Sequence, residues 1–143
     1  MLKTEDFFKS HLVTLAWRFG QSYNGGYIAG QMVMSTLANR QRAGWGSWGE
    51  IIERVPTFMA EHELPDFKYP NVWEPSFVKL CHVVDGVFDG SALDLSKGAL
   101  YFCDLNKIER EWFKTKIVDA VSEETGLRSH PIVANMNSLS FFR

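Results

Sequence analysis

A short apolar run at residues 98–103 constrains the fold of this chain more than any other feature. It reads Gly-Ala-Leu-Tyr-Phe-Cys and follows a long stretch with helical periodicity. A glycine that releases a short apolar run with two aromatic residues is typical of a buried strand. We therefore predict a strand at 99–103 that presents the hydroxyl of Tyr101 at its edge or end.

Helical patterns dominate the chain before this strand. Apolar periodicity, caps and breakers predict helices at about 4–20, 28–42 and 48–55, and a longer one from Glu74-Pro75 to just before Gly90. Ser47 and Glu50 have the spacing of a capping box at the start of the third helix. Residues 20–26 and 60–75 are predicted to be loops.

After the strand, the pattern predicts one more helix at about 106–121 and two short strands at 132–134 and 139–142. Ile108, Trp112, Ile117 and Val121 are expected to face inward from that helix. The predicted architecture is α+β, with four or five helices against a small antiparallel sheet. At 143 residues, positions 1–143 are expected to form a single domain.

Composition narrows the classes of partner. The net charge is −2, hydrophobic residues make up 45% and aromatic residues 14%. This balance gives no reason to expect nucleic-acid binding or attraction to anionic membranes. No apolar run approaches the roughly 18–20 residues of a membrane span, so no membrane insertion is expected. An aromatic-rich, nearly neutral surface suits uncharged polymers such as glycans.

Cysteines and histidines do not suggest a disulfide framework or a metal site. Cys81 and Cys103 each lie in an apolar stretch, and we expect both to be buried free thiols. The four histidines are scattered without ligand spacing. No metal and no cofactor are therefore expected.

Several short motifs follow one another along the chain. They are Leu37-Ala38-Asn39-Arg40, Gly44-Trp45, Trp48 to Ile52, Asp94 beyond Gly90, residues 98–102, Arg110-Glu111-Trp112-Phe113 and Phe141-Phe142. Taken in order, these motifs resemble the SleB-like cell wall hydrolases, which include spore cortex-lytic enzymes and many phage and prophage proteins. The resemblance covers roughly residues 12–143. Asn-Arg alone is a weak match, Gly-Ala-Leu-Tyr-Phe at this distance after it is moderately specific, and all parts in order are fairly strong.

The resemblance implies a lysozyme-like α+β fold and cleavage of the bond between N-acetylmuramic acid and N-acetylglucosamine in peptidoglycan, often as a lytic transglycosylase. That chemistry requires one carboxylic acid that is kept protonated and donates to the leaving oxygen. A hydroxyl of the muramic acid then closes on the anomeric carbon, so a second carboxylate is not required. The expected partner is the glycan strand of peptidoglycan.

The acid that the resemblance requires is missing from its expected place. The position falls on Phe19 in one alignment, which we prefer, and on Gln21 in another, and neither side chain can act as a general acid. The chain is then a deliberately inactivated version, a natural pseudoenzyme, or an enzyme that uses another carboxylate. Glu50 is the best candidate for that other carboxylate, although its simpler role is the capping box.

Five further residues are candidates for substrate contact under this resemblance. We expect Tyr101 to line one wall of a cleft that the end of the first helix floors. The alternative is a core tyrosine bonded to the backbone. Asn39 either binds an acetamido group or holds the end of its helix, and we favour the structural role. Trp48 and Trp112 are expected in the core. The remaining candidates are Tyr23 and Asn24, in the loop after the missing acid, and Trp73.

Two functions therefore stay open. The first is glycan-strand cleavage by a muramidase or lytic transglycosylase, of phage origin. The second is a non-catalytic peptidoglycan-binding or structural module of a virion or secretion system. From the polar, acidic sequence at residues 1–6 we expect neither a signal peptide nor a transit peptide. We expect synthesis in the cytoplasm and action on the cell wall after release or virion delivery.

Overall fold

The computed structural model describes residues 4–54 and 73–143. The architecture is α+β, mainly helical with a small antiparallel sheet, as the sequence predicts. The helices are α1 (Thr4–Ser22), α2 (Gly26–Arg42), α3 (Trp48–Ile52), α4 (Pro75–Asp89) and the short α5 (Glu111–Phe113), which continues as a π-helical turn (Lys114–Val118). The strands are β1 (Tyr101–Asp104), β2 (Ile132–Met136) and β3 (Leu139–Phe142). The predicted loop at 60–75 lies mostly outside the described residues.

The first two helices pack unusually closely, and two glycines make this possible. A Cβ at Gly30 would lie 2.7 Å from the carbonyl oxygen of Ala16, and one at Gly20 would lie 2.3 Å from that of Gly26. Helix α1 therefore runs through Gly20 to Ser22, two residues beyond the predicted end, because Gly20 is required for close approach and does not end the helix. The first helix consequently carries the 19–22 segment in helical conformation.

The sheet has the order β1-β3-β2, and both of its strand pairs are antiparallel. Phe102 of β1 lies opposite Phe141 of β3, and Tyr101 lies opposite Phe142. Phe102 and Phe141 belong to the main core with α1, α2 and α4. Cys103 and Phe142 belong to a second cluster with Ile117. The sheet is thus covered on both faces, by the helices on one side and by the 105–118 segment on the other.

The predicted helix at 106–121 is wrong in extent and partly wrong in orientation. Residues 105–110 are not helical, because the Asp104 carboxylate accepts the backbone N–H of Asn106 (3.0 Å) and closes a turn there. Phe113 and Ile117, four residues apart, pack under the sheet. Trp112 points outward and is 62% exposed, so its predicted core position is wrong. Val121 is also exposed.

The fourth helix corrects one prediction about the thiols. Its buried stripe consists of Leu80, Val84 and Val87, which repeat at helical spacing. Cys81 lies one residue around the helix from this stripe and is exposed, so its predicted burial is wrong. Cys103 is buried, and burial followed by the nearby Asp104 charge raises the pKa of its thiol to about 12. Both thiols are free.

Candidate ligand-binding pocket

A polar pocket lies where the end of α1, the end of β1 and the β2–β3 turn meet. Its volume is about 620 Å³, within the usual range for small-molecule sites. It includes two residues that the sequence singled out, Tyr23 and Asn24, and we call it the Tyr23–Asp104 pocket. The residues that line it are Ser22, Tyr23, Asn24, Asp104, Lys107, Asn137 and Ser138.

Tyr23 and Asp104 are the two buried residues of this lining. They are 6% and 4% exposed, and the Tyr23 hydroxyl donates to Asp104 Oδ2 at 2.8 Å. The Ser138 hydroxyl donates to the same oxygen at 3.4 Å. Burial, and then the hydrogen bond and charge of Asp104, raise the pKa of Tyr23. Tyr23 is therefore a neutral hydroxyl at any physiological pH.

Two asparagines shape the rim of the pocket. Asn24 and Asn137 have φ angles of 54° and 52°, in the left-handed region that asparagine tolerates better than most residues. The Asn137 side-chain amide donates to the carbonyl oxygen of Tyr23, which ties the β2–β3 turn to the end of α1. The Ser22 hydroxyl oxygen is enclosed and has no hydrogen-bond partner among the described residues.

Phe19, the preferred position for the acid under the resemblance, lies in the main core. Its side chain is fully buried. Its ring packs edge-on against Phe102 with centroids 5.2 Å apart, and stacks on Tyr23 with centroids 6.2 Å apart. Because Phe19 and Tyr23 are four residues apart, they occupy one face of the helix end. The Phe19 ring thus belongs to the main core and contacts the pocket lining through the ring of Tyr23.

Gln21, the alternative position, binds the carboxylate of Glu74, a residue that the sequence patterns did not indicate as part of a site. Its side-chain amide donates to Glu74 Oε1 at 2.7 Å, and the Trp17 indole N–H donates to Glu74 Oε2 at 2.8 Å. The Ser76 hydroxyl also donates to Glu74, at 2.6 Å. The only sequence signal was Glu before Pro75 at a helix start, which indicates an N-cap, yet Glu74 makes no side-chain cap bond. Glu74 joins α1 to the start of α4.

Tyr101 lies on one face of β1, and Asp104 lies on the opposite face, the one that packs on Phe19 through Phe102. It is half-buried, and its ring contacts those of Trp45, His130 and Phe113, with centroids 5.1, 5.0 and 6.3 Å away. Alternation along a strand places Tyr101 and Asp104 on opposite faces. The structure therefore does not bring Tyr101 together with Phe19 in one cleft. Trp45 is half-buried beside Tyr101, and Arg40 stacks on it, 5.2 Å from its ring centroid.

Asn39 holds the segment that leads into β1. Its side-chain amide donates to Asp94 Oδ2 at 2.9 Å and to the Ala99 carbonyl oxygen at 3.0 Å. Burial alone would raise the pKa of Asp94. Hydrogen bonds from the Ser96 hydroxyl, Asn39 and backbone N–H groups outweigh it and hold that pKa below its ordinary value. The contacts of Asn39 are those of a structural residue.

Glu50 and Trp73 lie apart from the described pocket lining. Ser47 and Glu50 form the predicted capping box, with the Glu50 N–H donating to Ser47 Oγ at 3.2 Å. Glu50 is exposed, and its carboxylate accepts hydrogen bonds from Ser47. Trp73 is 84% exposed. Trp48 is half-buried and stacks on Phe88 with centroids 4.2 Å apart, as expected for a residue packed on the core.

Comparison with protein-family models, curated proteins and solved structures finds no match to this chain. Within residues 4–54 and 73–143, no helix combines the length and apolar character needed to cross a bilayer. The same residues contain no group of three or more histidines, cysteines or carboxylates placed to hold a metal ion. The site must therefore be interpreted from its own geometry.

Proposed function

We propose that this protein binds glycan strands of peptidoglycan in a lysozyme-like fold and does not cleave them. The observation that carries the proposal is that Phe19, the preferred position of the acid in the resemblance, is fully buried and stacks on Tyr23, which lines a polar pocket. The resemblance to SleB-like cell wall hydrolases supplies the ligand class. The pocket supplies a place for a sugar beside the altered position.

Loss of the acid removes the step that such chemistry depends on. General acid catalysis typically contributes about 10²–10⁴-fold to a rate. Phe19 has no exchangeable proton, and the Gln21 amide already donates to Glu74. Loss of the acid leaves binding groups in place, because Tyr23, Asp104 and Ser138 do not depend on it.

The pocket has the chemistry expected of a sugar site. Its lining is polar, with hydroxyl, amide and carboxylate groups from three separate segments. Carbohydrates are recognised by such groups because each ring offers several hydroxyls that both donate and accept. A volume of about 620 Å³ accommodates at least one hexosamine ring.

One experiment separates binding from cleavage. Purified peptidoglycan sacculi are incubated with the protein, the pellet is assayed for bound protein, and the supernatant for soluble muropeptides. The proposal expects the protein in the pellet and no release of fragments above buffer. Tyr23→Phe should reduce the bound fraction, and Tyr101→Phe, on the other face of the sheet, is the matched control. Absence of wild-type protein from the pellet would contradict the proposal.

Cleavage with a different acid is the second candidate, because the pocket lining contains a carboxyl group, that of Asp104. This carboxylate is 4% exposed, lines the pocket and lies against the Tyr23 hydroxyl. If wild-type protein releases muropeptides, Asp104→Asn should abolish the release while leaving the bound fraction largely intact. Release that survives this substitution would exclude Asp104 as the acid.

A further inference from the structure

We propose that the Tyr23–Asp104 pocket selects uncharged glycan units over units that carry a carboxylate, and that Asp104 sets this selectivity. The inference rests on the proposed glycan-binding function and adds a specificity to it. In peptidoglycan, the lactyl group of muramic acid is an amide where a stem peptide is attached. It becomes a carboxylate where the peptide has been removed. The pocket would therefore disfavour stripped strands.

The direction of the hydrogen bonds to Asp104 determines which groups remain available to a ligand. A carboxylate only accepts, so both the Tyr23 hydroxyl (2.8 Å) and the Ser138 hydroxyl (3.4 Å) must donate to Asp104 Oδ2. Each hydroxyl has then used its single proton and retains its oxygen lone pairs. Around Asp104 the pocket consequently offers acceptors, whereas the Ser22 hydroxyl, which has no partner among the described residues, keeps its proton. A ligand hydroxyl or amide N–H can donate to these acceptors, and a ligand carboxylate cannot.

The negative charge of Asp104 also disfavours a ligand carboxylate. Asp104 is buried at 4% exposure, where a charge is poorly screened by solvent. A ligand carboxylate placed in the pocket would lie close to this charge and would lose its own hydration. Like-charge contacts of this kind are a common means of rejecting a wrong partner. Lys107 also lines the pocket and carries the opposite charge. The measured preference between neutral and carboxylated ligands therefore shows which of the two charges has the larger effect on binding.

Hydrogen bonds within the protein hold Asp104 and Tyr23 in place before any ligand binds. Asp104 also accepts the backbone N–H of Asn106 at 3.0 Å, and the Asn137 amide holds the Tyr23 carbonyl. The donors to Asp104 therefore come from three places: Tyr23 just after α1, Asn106 after β1 and Ser138 in the β2–β3 turn. A ligand meets a preformed arrangement, which is the condition for charge-based discrimination to be realised in affinity.

The test uses a matched pair of tetrasaccharides. One is the tetramer of β-1,4-linked N-acetylglucosamine, which is neutral. The other is the peptide-free tetramer of alternating N-acetylglucosamine and N-acetylmuramic acid, which differs by two lactyl carboxylates. Dissociation constants are measured by ¹H–¹⁵N NMR titration of wild type, Asp104→Asn and Asp119→Asn. The last variant removes the same charge from an exposed residue outside the pocket lining.

The expected result is at least about tenfold tighter binding of the neutral tetramer by the wild type, a difference of about 1.4 kcal/mol. In Asp104→Asn this preference should fall severalfold, because an amide of the same shape carries no charge. It should stay unchanged in Asp119→Asn. Higher salt should change the wild-type preference little, because the Asp104 charge is buried and weakly screened, and this measurement does not depend on any variant folding.

The outcomes distinguish the two proposals. Equal or tighter binding of the carboxylated tetramer by the wild type would overturn the selectivity and leave glycan binding standing. A preference that Asp104→Asn leaves unchanged would remove Asp104 as its source. If neither tetramer binds and the protein does not sediment with sacculi, the proposed function fails and the selectivity fails with it.

Discussion

The two faces of β1 make different kinds of contact. The strand has only four residues, and their side chains point alternately to one face and the other. On one face, Phe102 packs on Phe19, and Asp104 accepts a hydrogen bond from Tyr23. On the other face, Tyr101 lies in a half-buried group of rings with Trp45 and His130. The first face joins a dry core to a polar pocket, whereas the second makes ring contacts. Position on the strand therefore decides which aromatic residues can contact a ligand in the pocket.

The strongest way to break this comparison is to place an acid at position 19. Phe19→Glu would place a carboxyl group in a fully buried position, and we expect a loss of at least about 4 kcal/mol in the free energy of unfolding at pH 7. Burial would raise the pKa of this carboxyl above its unfolded value of about 4.3. The free energy of unfolding of the variant is then least reduced below about pH 4.3, and it falls as the pH rises through the raised pKa.

The control for this variant is Phe19→Leu, which keeps the site apolar and should cost less. Urea denaturation at pH 4 and pH 7 measures both variants. Full stability of Phe19→Glu at pH 7, together with release of muropeptides, would show that position 19 opens to the pocket and that a buried apolar ring there is not essential.

The second cluster should also prove to be a true core. Ile117 is 4% exposed and packs with Cys103 and Phe142 under the sheet. Ile117→Ala should lower the free energy of unfolding by about 2–4 kcal/mol. Trp112→Ala, at a 62% exposed position in the same segment, should cost much less. Equal losses for the two variants in urea denaturation would contradict the orientation of this segment.

A smaller loss is expected from the pocket. Tyr23→Phe removes one hydrogen bond to a buried carboxylate, and we expect a loss of about 1.5–3 kcal/mol. A double-mutant cycle with Asp104→Asn isolates the coupling between the two side chains. Coupling near zero would mean that the hydroxyl does not depend on Asp104 in solution, and the polarity argument for the pocket would then lose its basis.

The smallest effect is expected on the opposite face. Tyr101→Phe keeps the ring contacts with Trp45 and His130 and removes only a hydroxyl from a half-buried residue. The free energy of unfolding should change by less than about 0.5 kcal/mol, within the usual range for surface changes. The fraction bound to sacculi should not change. A larger loss of binding than Tyr23→Phe causes would move the ligand site to this face.

Local patterns predicted much of the fold. The capping box at Ser47 and Glu50, the strand ending near Cys103 and the strand at 139–142 all follow from neighbouring residues. The exceptions have different causes. The helix predicted at 106–121 starts late, because the Asp104 carboxylate accepts the Asn106 backbone N–H and closes a local turn that helical periodicity does not reveal. Cys81 lies just outside the stripe that α4 buries, and only the packing of α4 decides which residues belong to that stripe.

The candidate site shows the same division. The sequence selected Tyr23 and Asn24 from their loop, and it did not select Asp104, Ser138 or Glu74. Asp104 stands 81 residues from Tyr23, and Glu74 stands 53 residues from Gln21. No periodicity relates residues at such distances. Their partners are set only when β1 is paired with β3 and α4 is packed on α1.

By itself, the sequence determined the α+β class, most elements and the absence of an acid at positions 19 and 21. Tertiary structure alone decided that Phe19 is core, that Tyr101 faces away from it, and that a buried carboxylate stands beside Tyr23. The physical reason is that helical and strand periods depend on adjacent residues. Which face of a strand meets which helix depends on burying the largest apolar area across the whole chain.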